Sequence, residues 1–146
     1  MDWKSIAIEK LKEHRAKKQA LEGIPLEIAA IDSRIKSTRS VQTDRPIVMR
    51  SGNTYDDKIL TCIARKEELC RVLDRARLAV QEVNGALQIL TPEEQKVLEI
   101  IYMSSERGGQ MERLCEEFNI NKTSAYNRRD AALRKFTIAM YGCIES

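Results

Sequence analysis

Little in this chain would interrupt a helix. Its 146 residues include three prolines and six glycines, too few for the turn about every ten residues that a sandwich or barrel demands. Aromatic residues make up only 5%, so a core built on large rings is excluded. There is one histidine, His14, and there are four cysteines, Cys62, Cys70, Cys115 and Cys143, none in a Cys-x-x-Cys pair. A structural zinc site needs four ligands at characteristic spacings, which these residues do not supply. Three of the cysteines lie at or beside apolar positions of helical stripes, where a free thiol behaves as a small hydrophobe. Free thiols in a reducing compartment are expected, with no metal and no cofactor. No Gly-rich phosphate loop, no carboxylate pair in an apolar setting and no Cys-His or Ser-His arrangement can be placed, so no enzyme is expected. No window approaches the roughly 18 apolar residues of a membrane span. The opening Asp2-Trp3-Lys4 lacks the apolar core of an export signal, which makes the cytoplasm the expected location and a membrane no partner. The net charge of +3 says little about nucleic acid; its distribution has to say more.

What is present is helical periodicity. An apolar fraction of 42% beside 32% charged residues suits a soluble all-α chain, as one domain or two small ones. Residues 3 to 21 read as a basic amphipathic helix with Trp3, Ala7, Leu11 and Leu21 on its apolar side; the basic side, Lys10 to Lys18, reads first as a solvated face. Gly23 ends it, and Pro25 opens a second helix, residues 25 to 38, with Ile28, Ile31 and Ile35 at spacings of three and four. Together they predict a helical hairpin. Residues 39 to 54 lose the stripe and contain Pro46, Gly52 and Asn53, which predicts a long connection. Within it Ile47, Val48 and Met49 are candidates for docking on the hairpin, and Arg45 and Arg50 weaker ones for a phosphate.

Residues 55 to 90 carry a sustained heptad stripe: Ile59, Cys62, Lys66, Leu69, Leu73, Ala76, Val80, Val83, Leu87 and Leu90. Such a stripe calls for a coiled-coil partner, either the first hairpin or the same helix of a second chain in a homodimer. Lys66, the one polar residue in the seam, is of the kind that sets register or oligomer state. Gly85 weakens the helix by about 1 kcal/mol against alanine and is a candidate hinge. The division predicted is 1–90 for the N-terminal helical, coiled-coil-like region and 91–146 for a separate C-terminal domain.

That C-terminal stretch organises the rest. Thr91 and Pro92 with Glu93 and Glu94 form a helix start, and Val97, Leu98, Ile101 and Tyr102 follow at helical spacing. Gly108 and Gly109 stop this helix. A second carries Met111, Leu114, Cys115 and Phe118 inward. Asn119-Ile120-Asn121 make a tight turn, and a third helix starts at Lys122 with Asn121 as cap. Two short helices joined by about three to four residues, the second basic, predict a helix-turn-helix. With Ala125 facing the core and about 100° per residue, Ala132, Leu133 and Phe136 fall inward. Thr123, Asn127 and Arg134 fall outward, with Ser124 and Tyr126 flanking. Residues at the start of a recognition helix meet base edges, which nominates Lys122, Thr123, Ser124, Tyr126 and Asn127 for readout. Arg128, Arg134 and Lys135 are nominated for phosphate. Arg129 points toward the core and must snorkel or pair. Residues 91 to 121 hold seven acids against three bases, and residues 122 to 135 five bases against one acid; a net −4 thus stands beside a net +4, with the positive end on the third helix.

The order LTPEEQKVLEIIY, then MERLCEEFNINKTSAYNRRDAALRKF, resembles the C-terminal, promoter-reading region of bacterial sigma factors. It resembles more closely the phage and prophage regulators of the ArpU and RinA type, which also place a helical N-terminal region before a Leu-Thr/Pro-x-Glu start, so the likeness extends over the whole chain. Those proteins have a Ser/Thr/Tyr-rich entry to the recognition helix and an Ala-Leu-x-Lys-Phe ending, here Lys122-Thr123-Ser124-Ala125-Tyr126 and Ala132-Leu133-Arg134-Lys135-Phe136. Arg128 departs from the pattern, standing where sigma factors usually have an apolar residue. The resemblance implies a sequence-specific double-stranded DNA-binding regulator in the bacterial host cytoplasm, an activator of late phage genes for packaging and structural proteins, with RNA polymerase as a possible partner. The rivals are a phage small terminase subunit, which binds DNA for packaging but usually puts the DNA-binding part first, and a helical adaptor that binds protein alone.

Overall fold

The computed structural model describes residues 2–44 and 54–143. Among them every regular element is helical and there is no strand. Helices α1 (Trp3–Asp44) and α2 (Thr54–Ile89) are long; α3 (Pro92–Leu98) runs on into a π-helical stretch, Glu99–Met103, and is followed by α4 (Gln110–Phe118) and α5 (Lys122–Tyr141).

The expected hairpin of residues 3 to 38 does not form. Helix α1 is continuous and holds Pro25 inside it. An interior proline removes one backbone hydrogen bond and clashes with the preceding turn, at about 3 kcal/mol. What outweighs this is an unbroken stripe. Ile24 bridges Leu21 and Ile28, and all three are half-buried, while Ile31 and Ile35 are buried. Gly23 and Pro25 themselves are exposed, so the disturbed backbone lies on the open side. Nor does the connection begin at residue 39: the helix meets no breaker before Pro46 and continues to Asp44. Residues 45–53, with Arg45, Ile47, Val48, Met49 and Arg50, lie outside the described residues.

The chain also divides differently from 1–90 and 91–146. One compact unit is Gln19–Arg77; the other joins Met1–Lys18 to Leu78–Ser146. In the first unit the middle of α1 packs on the first part of α2, burying Ile31, Ile35, Leu73 and Ala76. Lys66 of the seam is half-buried and its Nζ lies 2.7 Å from Asp32 Oδ1 of α1. That hydrogen bond, with the carboxylate charge, holds the ammonium above its ordinary pKa. A second pair, Arg65–Glu27 at 3.8 Å, lies nearby. The polar seam residue thus finds its partner within the same chain.

The second unit has a core contributed by both long helices and by the C-terminal ones. Ala7, Leu11, Val83, Ala86, Val97, Leu98, Leu114, Ala125, Leu133 and Phe136 form one buried cluster. This cluster runs across residue 90: the ends of α1 and α2 contribute Ala7, Leu11, Val83 and Ala86 to the same core as the short helices. Trp3 packs against Tyr141 with ring centroids 4.8 Å apart. Gln95 Nε2 donates to the carbonyls of Leu87 (2.6 Å) and Leu90 (3.2 Å), satisfying groups left open at the end of α2. Thr137, fully buried, donates its hydroxyl to the Leu133 carbonyl at 2.7 Å and so carries no unmet polar group inward.

Candidate nucleic-acid interface

The candidate surface is set by the punctuation of α4 and α5. Thr91 and Glu94 form a capping box at α3, each side chain bonding the other's backbone N–H at 3.2 Å. Gly109 precedes α4 at φ 68°, a left-handed conformation that suits glycine. Asn119 ends α4 at φ 54°, and Ile120 N–H reaches back to the Cys115 carbonyl at 3.0 Å, the long bond of a Schellman turn. Ile120 then packs against the core. Asn121 Oδ1 accepts from Ser124 N–H at 2.8 Å and starts α5. Two helices and a three-residue turn are therefore locked at both ends by local chemistry.

Helix α5 turns one side inward. Ala125, Ala132 and Phe136 are fully buried and Leu133 nearly so. Lys122, Thr123, Tyr126, Asn127, Arg128, Arg134 and Lys135 are exposed, and Ser124 is half-buried. Thr123, Asn127 and Arg134 therefore form the outward ridge, Tyr126 and Ser124 border it, and Lys122, Arg128 and Lys135 lie exposed on the flanks nearer the core.

Their charges are not equally available. Lys135 Nζ sits 3.0 Å from Glu94 Oε2, tying α5 to the start of α3. Burial pushes the Glu94 carboxyl up, but hydrogen bonds from Lys135 and Thr91 outweigh it and leave the pKa lowered. Arg129 Nη2 pairs with Asp130 at 3.0 Å and its guanidinium lies 4.9 Å from the Tyr126 ring centre, which answers how a cation near the core side is accommodated. Arg128 stacks over the ring of Phe118, the last residue of α4, at 5.1 Å, so its departure from an apolar residue is met by packing against an aromatic face. Lys122, Arg128 and Arg134 have no carboxylate partner among the described residues. On the acidic side, Lys96 pairs with Glu117 and Arg113 with Glu106 at 2.8 Å, cross-linking α3 to α4 and closing the loop before α4.

Three partners escaped the sequence reading: Glu94 for Lys135, Phe118 for Arg128 and Tyr126 for Arg129. The last was readable, since residues three apart are neighbours on a helix. The first joins residues 41 apart and has no local signal. Among the described residues no cluster of His, Cys, Asp and Glu could hold a metal ion, the four cysteines are free, and no helix is long and apolar enough to cross a membrane. No family model, no curated protein and no solved structure matches this chain.

Proposed function

We propose that the protein is a sequence-specific double-stranded DNA-binding regulator of transcription that lays α5 in the major groove. The observation that carries this reading is the disposition of α5: its apolar side is sealed by Ala125, Leu133 and Phe136, while Lys122, Arg128 and Arg134 stand exposed without carboxylates to neutralise them. A solvated face in an ordinary helical packing unit has no need of that segregation, whereas phosphate does. The resemblance to the ArpU and RinA regulators supports a role at late phage promoters, as an activator, with RNA polymerase touched through the N-terminal helices.

The heptad seam of α2 is buried or half-buried within one chain, which supports intramolecular pairing over a homodimer through residues 55–90. Fluorescence-anisotropy titration of labelled duplexes tests the proposal. Binding to the DNA upstream of the protein's own operon is expected to exceed binding to random duplex at about 150 mM salt by a thousandfold or more. Arg134→Ala, at a position nominated for phosphate, is expected to lower the slope of log affinity against log salt by about one, uniformly across sequences. Equal affinity for every duplex sinks sequence-specific regulation. An unchanged interaction with every partner after Asn127→Ala and Arg128→Ala favours the protein-only adaptor.

A further inference from the structure

The outward ridge of α5 has a composition that restricts which bases it can read. With the helix turning about 100° per residue, Thr123 and Asn127 share the side opposite the buried Ala125 and Phe136, and Tyr126 borders Thr123. Guanine is read by arginine or lysine reaching its two acceptors, adenine by the amide of asparagine or glutamine, and the thymine methyl by apolar contact. Along the first two turns the cations are placed elsewhere. Lys122 lies about 100° from Thr123, toward the core-facing flank. Arg128 is drawn onto Phe118, 5.1 Å from its ring centre. Arg129 is held by Asp130 at 3.0 Å. The next cation on the ridge, Arg134, comes two turns beyond Asn127, away from the residues that meet base edges.

What remains is an amide and two side chains with apolar surface. Asn127 is exposed and makes no hydrogen bond through its side chain among the described residues, so its carbonyl and amino groups are open to a bidentate partner. Tyr126 is 45% exposed, yet its ring lies against the Arg129 guanidinium at 4.9 Å, which in turn pairs with Asp130. A fixed ring loses little freedom on binding.

We propose that α5 reads an A·T-rich step, Asn127 bonding to adenine while the Thr123 methyl and the Tyr126 ring meet the methyl of a neighbouring thymine. This rests on the reading of α5 as the groove-facing helix, and Arg129 enters it as a positioning residue that acts through Tyr126.

Selection of bound duplexes from a random library by the full chain, at about 150 mM salt, is the test, followed by affinity measurements on the enriched sequence. The expected motif contains adjacent adenine and thymine positions. Asn127→Ala should flatten the preference at one adenine by roughly tenfold, within the range of a single bidentate contact, and leave the other positions unchanged. Replacing the enriched thymine by uracil, which deletes only the methyl, should weaken the wild type, weaken Tyr126→Ala less, and leave the double variant Thr123→Ser with Tyr126→Ala unaffected. Arg129→Lys, which keeps the charge, should shrink the uracil penalty as Tyr126→Ala does and keep the adenine preference. All four side chains lie at the surface or half-buried, and circular dichroism confirms that each variant keeps its helices. An enriched motif of G·C pairs, or an A·T motif indifferent to Asn127→Ala and to uracil, overturns this inference while sparing the DNA-binding regulator. No enrichment at all overturns both.

Discussion

His14 is 3% exposed, and its Nδ1 finds no hydrogen-bond partner among the described residues. Burial depresses the pKa of the ring below the ordinary 6.5, the Lys18 ammonium adds to this, and Asn84 of α2 pulls the other way. The folded chain therefore keeps the ring neutral at a pH where the unfolded chain protonates it. The unfolded state then binds more protons, so stability falls as pH drops below about 6.5. Thermal melts of the wild type are expected to shift down between pH 7.5 and 5.5 more than those of His14→Leu; parallel shifts would show that this ring does not govern the acid response. Glu94 acts in a lower window: its pKa lies below the ordinary 4.5, so its contribution persists until the pH falls through that range. At this scale the sequence was legible for positions and illegible for pairings. Ala125, Leu133, Phe136, Thr91 and Asn121 could be assigned from periodicity and capping chemistry. Asn84 opposite His14, and Glu94 beside Lys135, are set by where distant helices meet.

At the scale of elements, Pro25 and Gly85 separate local preference from packing. Read by single-residue propensity, Pro25 starts a helix and splits α1 in two; the stripe through Leu21, Ile24 and Ile28 argues for one. The structure keeps one helix across it. Pro25→Ala should restore the missing backbone bond and raise stability by up to about 3 kcal/mol, measured as a shift in the urea midpoint; a loss of stability would mean that the proline fits a bend the packing requires. Gly85 is exposed within a continuous helix, and a methyl group there would meet nothing within 4 Å. Gly85→Ala should stabilise by about 1 kcal/mol without altering DNA affinity, whereas a loss of affinity at raised stability would reveal that bending at this point serves binding. In α3, where the capping box joins Thr91 to Glu94, Thr91→Ala should cost about 1 kcal/mol and also loosen the anchor of Lys135, which chemical denaturation of the single and double variants with Lys135→Ala can resolve. The short helices were legible because each carries a start and a stop; the long ones were less so, since a stripe can outlast a proline.

For the whole molecule, the seam of α2 bears on assembly. Leu73, Ala76, Val80 and Val83 are all buried within one chain, so the middle of the strongest apolar stripe is already covered without a second copy. Light scattering at micromolar concentration is expected to give a mass near the 16.7 kDa of one chain; a ring of eight or more subunits would favour the packaging reading instead. The all-α class was legible from the scarcity of glycine and proline. The partition into units was not, because Ala7 and Leu11 carry no mark that says which of several apolar faces they will join.

That partition reaches into synthesis. Leu11 leaves the ribosome long before Phe136, yet both belong to one buried cluster. At about 5–20 residues per second the wait is on the order of ten seconds, during which the apolar side of the first helical turns has only the earlier members of the cluster, such as Val83 and Ala86, to meet. A translation product released before α5 would therefore lack Ala125, Ala132, Leu133 and Phe136 of the cluster that holds Leu11, together with the residues nominated to meet DNA.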